Sequence, residues 1–346
     1  MRRAHLMLLL GALFAQACGK STPERAFYYW KTTLTATPEE MDFLNHSGIN
    51  HLYIKLLDVG VNPTTRVIQP YSLLEISDTA LLHGRQWTAC LFITNEVFQA
   101  INEQQLTWLA ERTAYALAGY VHKIPMPALA WQVDCDWTPT TRAAFFRYLT
   151  LLRSKMPPNT ILSATIRLHQ FKFPQQTGVP PVDRGMLMAY NTGHIERFDT
   201  ANSIYHPNDA DQYWTGSLKP YPLPIDLALP VFSWTLLYRE QALHKIIHGI
   251  PEGELADPNR FRLLDSTDDL RRFQVLRETF LEGHYLRPGD GVKTEAVHPI
   301  QLRQIVHRAA THPVGRVAFF HLDPAVADRF PPALIKSLCD QFHSER

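Results

Sequence analysis

From residue 26 onward, apolar positions switch between two periods, short β-rich runs that repeat every second residue and longer runs with the 3.6-residue period of an amphipathic helix. Ala26 to Thr32 reads as the first strand, and Pro38-Glu39-Glu40 opens a helix that Gly48 ends. Asn50 to Leu57 is the second strand. A less regular stretch containing Pro63 and Pro70 leads to a third, Trp87 to Thr94, and then to a long helix over Asn102 to His122. Ala128 to Asp136 is the fourth strand, with Thr138-Pro139 capping a helix to Lys155. Ile161 to Arg167, Gly185 to Asn191 and Ile225 to Phe232 follow as strands five, six and seven. A helical stretch is expected over Arg239 to His248. The mixed region Pro251 to Val297 holds a second expected helix, Thr267 to Glu282, and a turn at Pro288-Gly289-Asp290-Gly291. Pro299 begins a helix to Thr311, and Gly315 to Asp323 is the eighth strand. Eight strands alternating with helices predict an α/β fold, the (β/α)8 TIM barrel, as a single domain over residues 26–346. The rival is an open doubly wound sheet, which would carry a Gly-rich phosphate turn after an early strand; no G-x-G-x-x-G or P-loop is present.

The first residues follow another logic. Met1-Arg2-Arg3 is a positive head, Leu6 to Phe14 is an apolar run too short to span a bilayer, and Ala15-Gln16-Ala17 places small residues before Cys18. Residues 1–17 are expected to be a signal peptide and 18–25 a polar tether. Cys18 immediately after the small-residue site resembles a bacterial lipobox, although Ala15 stands where Leu is favoured, so ordinary cleavage after Ala17 is the alternative. The expectation is a protein of the bacterial cell envelope, on the periplasmic or outer-membrane face, held to the membrane only through lipid on Cys18.

Composition narrows the partners. There are 34 Lys and Arg against 33 Asp and Glu, a formal net charge of +1 without a basic block, which excludes a phosphate-neutralising nucleic-acid binder. With Cys18 lipidated, Cys90, Cys135 and Cys339 remain; Cys90 and Cys135 sit in apolar runs and read as buried small hydrophobes. No Cys-x-x-Cys pair occurs, and neither a metal site nor a cofactor is expected.

In a barrel the chemistry gathers at the C-terminal strand ends. On the fourth strand Trp131, Val133 and Cys135 share one face while Gln132, Asp134 and Asp136 share the other. Two carboxylates about 6–7 Å apart on one strand face are costly to bury unless hydrogen-bonded or sharing a proton, so the pair either has a task or forms a satisfied polar layer, with Asp136 capping the next helix. Tyr53 and Lys55 share a face of strand two, and Ser163, Thr165 and Arg167 a face of strand five. Lys55 and Arg167 are candidate ligand contacts or counter-ions. Glu96 ends strand three, Tyr190 and Asn191 end strand six, and His321 and Asp323 end strand eight. Aromatic residues thicken around this rim, where they fill the core or stack on sugar faces; Trp137, Trp214 and Trp234, on expected loops, are the candidates for stacking.

These residues carry a resemblance. Leu129-Ala130-Trp131-Gln132-Val133-Asp134-Cys135-Asp136-Trp137-Thr138 resembles the strand-four D-x-x-D-x-D-x-E motif of chitinase-like family 18 glycoside hydrolases. Met188-Ala189-Tyr190-Asn191 is similar to that family's M-x-Y-D/N segment, and Leu227 to Phe232 to its strand-seven segment, in the same order along the chain. The resemblance implies a glycan ligand, with Asp134, Asp136 and Tyr190 at the reaction centre. Trp131 replaces the first Asp, and Thr138 replaces the Glu that protonates the glycosidic oxygen. A threonine hydroxyl cannot act as that acid, so hydrolysis requires a substitute, either Glu96 or Asp136 working with an opposite carboxylate such as Asp323. Three functions follow: a glycoside hydrolase built on Asp134 and Asp136, a glycan-binding barrel that has lost its acid, or a periplasmic scaffold.

Overall fold

The computed structural model describes residues 22–99, 101–214 and 220–344. The expected signal peptide and Cys18 lie outside the described residues.

Eight parallel strands form the barrel: Glu24–Tyr29, His51–Val61, Gln86–Ile93, Ala130–Asp134, Ile161–Arg167, Arg184–Met188, Ile225–Pro230 and Val314–Phe320. Each pairs with its neighbours in chain order, and the first pairs with both the second and the eighth, which closes the sheet. Closure leaves two faces per strand. On the fourth, Trp131 and Val133 are buried on the outward side, toward the surrounding helices, and Gln132 crosses the interior, as its period-two pattern requires.

The helices cover the sheet with apolar stripes. Glu103–Lys123 starts at a capping box between Asn102 and Gln105 and buries Leu106, Leu109, Ala110, Thr113, Ala114 and Leu117, an i, i+3, i+4 face. Thr113 Oγ1 meets the Tyr148 hydroxyl of the next helix, Arg142–Arg153, at 2.9 Å. That helix begins later than the Thr138-Pro139 cap predicts. Thr138 to Thr141 form a hydroxyl-bridged turn ahead of it, and Asp136 does not cap it.

Two irregular regions sit on the barrel's C-terminal side. The stretch with Pro70 is a strand, Ile68–Leu73, antiparallel to the extended end of the second barrel strand and at the sheet edge, where a residue without an N–H is tolerated. Between the seventh and eighth strands the chain builds a five-stranded antiparallel sheet from Ser233–Arg239, Ala242–Ile247, Phe261–Ser266, Leu270–Val275 and Gly291–Ala296. The helices expected over Arg239 to His248 and Thr267 to Glu282 are therefore strands. The first is a hairpin turned by Glu240 and Gln241, both at positive φ; His244 and His248, four apart, thus do not lie on adjacent helical turns. In the second, Thr267-Asp268-Asp269 mimics a helix start, but Phe273 and Val275 bury into a small separate apolar cluster with Leu237, Phe261 and Val292. Partners remote in sequence decide both segments.

Candidate functional site

The ends of the fourth and fifth strands form a polar ladder. Gln132 accepts from the Tyr28 hydroxyl at 2.6 Å and donates to Ser163 Oγ at 3.2 Å. One step higher, Thr165 Oγ1 donates to Asp134 Oδ1 at 2.7 Å. At the rim, Arg167 grips Asp136 with both arms of its guanidinium, Nε to Oδ1 at 2.7 Å and Nη2 to Oδ2 at 2.6 Å. Register produces this ladder: Gln132 lies opposite Ser163, so the next residues inward on each strand face one another in turn.

The two carboxylates are not equivalent. Burial, then the neighbouring Asp136 charge, push the Asp134 carboxyl from 3.8 up to about 7, against the opposing pull of the Thr165 hydrogen bond and Arg167. Arg167 is hydrogen-bonded to Asp136, whereas Asp134 is hydrogen-bonded to a hydroxyl.

The second strand adds a further ion pair. Lys55 Nζ lies 2.8 Å from Asp58 Oδ2, both side chains nearly buried, and 5.4 Å over the Trp30 ring. Asp58 Oδ1 is buried with no hydrogen-bond partner. The pairing is possible because the register slips between Lys55 and Leu57, a bulge that turns Asp58 to the same side as Lys55. Tyr71, on the edge strand, stands beside this pair. Its ring covers Gly60, where a Cβ would lie 3.0 Å from Tyr71 Cε1, so any side chain there would push the ring outward. Burial and the charges of Asp58 and Asp134 raise the Tyr71 phenol to about 12.

Aromatic rings make the remaining wall. Tyr190 stacks on Phe320 at 5.7 Å, Phe232 meets both edge-on, and Trp234 continues the row at 5.4 Å from Phe232. Tyr28 packs edge-on against Trp30 and Phe320. The Trp234 indole N–H donates to Glu295 Oε2 at 2.7 Å, and the same oxygen accepts from the Ser203 hydroxyl, so the inserted sheet orients a ring of the wall.

The structure brings Gln132, Lys55, Asp134, Asp136, Arg167, Tyr190 and Trp234 together at this end of the barrel, and gives the other candidates different surroundings. Trp137 is buried behind the rim against Phe145 and Phe146. Trp214 packs with Phe171 and His312 among the outer helices. Glu96 stands exposed on the turn Asn95–Phe98 and is not among the charges acting on Asp134. Asn191 is exposed at positive φ, its backbone N–H bound to Ile204 O at 2.7 Å. Asp323 accepts from the Ala325 N–H at 2.8 Å and acts on His321, whose imidazole burial pushes down. Asp58, Tyr71, Phe320 and Glu295 were not foreseen. Asp58 lies one residue past the expected strand end at Leu57, and Tyr71 lies in the stretch read as irregular.

Thr138, at the position where the motif resemblance expects a glutamic acid, is engaged in a turn. The Thr138 hydroxyl contacts Thr140 Oγ1 at 2.9 Å and Thr141 Oγ1 at 3.2 Å, and Thr141 in turn donates to Asn95 Oδ1 at 2.6 Å.

No described protein family matches the sequence. No curated protein matches it either. In three dimensions the chain is similar to the spore cortex-lytic enzyme SleL of Bacillus cereus, at TM-score 0.52 and 15% identity over 92% of this chain and 74% of that one. It is also similar to a chitinase of Chromobacterium violaceum, at TM-score 0.52 and 9% identity over 94% of this chain and 100% of the other. SleL of Bacillus megaterium matches at TM-score 0.51 and 15% identity, covering 91% of this chain and 73% of that chain. The shared feature at these identities is the barrel fold.

Proposed function

We propose that this chain is a glycan-binding (β/α)8 barrel that holds its ligand across the C-terminal mouth and does not cleave it. The observation that carries this reading is the two-armed grip of Arg167 on Asp136. A guanidinium that donates to both oxygens of a carboxylate engages it in the geometry that suits the pair best, so neither oxygen of Asp136 is free of a partner. With Thr138 tied into a hydroxyl turn, the motif has neither its proton donor nor a free last carboxylate. What remains is a polar floor beside the half-buried rings of Phe320 and Trp234, backed by buried Tyr190 and Phe232; the two partly open rings match the C–H faces of pyranoses while the floor matches their hydroxyls.

Calorimetric titration of the purified barrel with an oligosaccharide panel, run beside a reducing-end assay, tests the reading: binding without product is expected. Product release would replace it with the second reading, hydrolysis, which one observation favours. Asp134, raised to about 7, is poised for proton transfer near neutral pH. In that event Asp134→Asn abolishes turnover.

The reading includes export and anchoring through lipid on Cys18, which places the barrel at the cell envelope, where glycans are abundant. Incorporation of labelled palmitate, lost in Cys18→Ser, checks it; unlabelled protein in the soluble fraction would remove the anchor from the proposal.

A further inference from the structure

Counting charges at the mouth leaves one carboxyl over. Lys55 is matched by Asp58 and Arg167 by Asp136. Of the other titratable groups at this end, Tyr28, Cys90, Cys135 and Tyr190 are pushed up by burial and by Asp134 and are neutral, while His169 answers to Arg167 and Asp136, His321 to Asp323, His248 and Lys31, and Lys31 is itself paired with Glu40. Asp134 receives a single hydrogen bond, from the Thr165 hydroxyl, and has no cation of its own. Asp58, with 7% of its side chain exposed, leaves Oδ1 buried and unpartnered. Asp58 and Asp134 both act on the phenol of Tyr71, whose residue is 55% exposed, so the two carboxyls and an open aromatic face converge.

With Lys31 paired with Glu40 and Arg329 4.0 Å from Asp323, the floor around Asp134 holds three carboxyls, Asp58, Asp134 and Asp136, against two cations, Lys55 and Arg167, and is completed by a ligand that brings a third. We propose that the glycan held here carries a free amino group, its ammonium seated on Asp134 and its ring beside Tyr71. The proposal rests on the glycan-binding reading above and names the sugar class. A neutral or N-acetylated sugar offers hydrogen bonds but leaves Asp134 either protonated or ionised without a partner, both unfavourable against an ammonium that supplies charge and three donors. The carboxyl is largely protonated at pH 6, because its ordinary value of 3.8 is raised to about 7. Seating an ammonium there therefore expels that proton to solvent, and the amine, mostly charged at this pH, takes up only a fraction of one, so the balance is net release.

The experiment compares tetrasaccharides of glucosamine, N-acetylglucosamine and glucose by calorimetry at pH 6 in two buffers of different ionisation enthalpy. The glucosamine tetramer is expected to bind ~10-fold or more tightly than the others with net proton release, and Asp134→Asn, verified as folded by its melting transition, is expected to bind all three alike. Equal or tighter binding of the acetylated or glucose tetramer, absence of proton release, or a preference that survives Asp134→Asn overturns the amino-sugar assignment while leaving glycan binding intact. Failure of all three to bind overturns both readings.

Discussion

At the N-terminal end of the barrel, Asp226 lies between two guanidinium groups, whereas at the C-terminal end Asp134 has one threonine hydroxyl and no cation. Arg184 Nη1 donates to Asp226 Oδ1 at 2.7 Å, and Arg316 Nη1 lies 3.6 Å from Oδ2. Arg316 also donates through Nε to Glu24 at 2.6 Å and through Nη1 to the Tyr53 hydroxyl at 3.0 Å, and Tyr53 donates on to Asp226 at 3.3 Å. A Cβ at Gly315 would collide with the Arg184 guanidinium, so glycine there lets the cation cross to its partner. His51, in the same layer, is pushed by burial and by Arg316 to about 3, stays neutral, and meets Thr88 Oγ1 at 2.8 Å. Burial raises the Asp226 carboxyl, and both arginines oppose it. At one end the buried carboxylate is thus matched by two guanidinium groups, with His51 Nδ1 left without a hydrogen bond; at the other the carboxyl has no cation of its own, the contrast expected where one end serves stability and the other a ligand.

Replacing one cation of the closed end should have the largest effect. Arg316→Met leaves Glu24 and Tyr53 without their donor and halves the cations on buried Asp226, a loss of about 3–5 kcal/mol in chemical denaturation, with the glycan affinity of the remaining folded protein unchanged. A small loss would mean that the lower network is as incomplete as the upper. Between the ends lies Gln132, the only described link from Tyr28 to Ser163 across the barrel. Gln132→Leu strands a buried phenol and a buried hydroxyl and should cost ~1–3 kcal/mol. If it costs nothing, the middle layer belongs to the open end.

Asp134 should respond with the opposite sign. Its folded value of about 7 against an ordinary 3.8 means that between those pH values the folded protein holds a proton that the unfolded chain has released. Stability from this group is full below pH 3.8 and falls as pH rises through about 7. Asp134→Asn removes that slope, so at pH 8 the variant should be more stable than the parent by ~1–2 kcal/mol, read from denaturation midpoints across pH 4–8. A variant that is less stable at pH 8 would place Asp134 in a structural network like that of Asp226.

The same contrast explains what could be read from sequence. The strand over Ile161–Arg167 and the facing of Gln132 and Asp134 follow from local alternation, because each barrel strand shows its two faces to two constant environments, core and helix layer. The lower network was not foreseen as one, since Glu24, Tyr53, Asp226 and Arg316 meet only after closure. Asp58 was hidden by a bulge, which a period of two cannot anticipate. Tyr71 acquires its place from antiparallel pairing with the second strand, and the inserted strands were read as helices because their apolar partners lie tens of residues away. Trp137 and Trp214 fall on expected loops, but bulky rings next to helix starts and ends also plug the helix layer, and that is where they pack.

The smallest stability effect is expected at Tyr71, and it separates a binding wall from a structural one. The residue is 55% exposed, so Tyr71→Phe should shift folding stability by less than ~0.5 kcal/mol. Removing the hydroxyl near Asp58 and Asp134 takes away a hydrogen-bonding group but keeps the ring, and glycan affinity should fall by roughly threefold, the scale of a single modest hydrogen bond. Tyr71→Ala removes the ring as well and should weaken binding by at least ~10-fold, as loss of an aromatic anchor does, again with little change in the denaturation midpoint. The ordering of the two variants in affinity, at nearly constant stability, is the signature of a residue that meets a ligand. If Tyr71→Ala instead lowers stability as much as Gln132→Leu while leaving affinity unchanged, the ring serves to hold the edge strand over Gly60, and the open end of the barrel begins one layer deeper, at Asp134 itself.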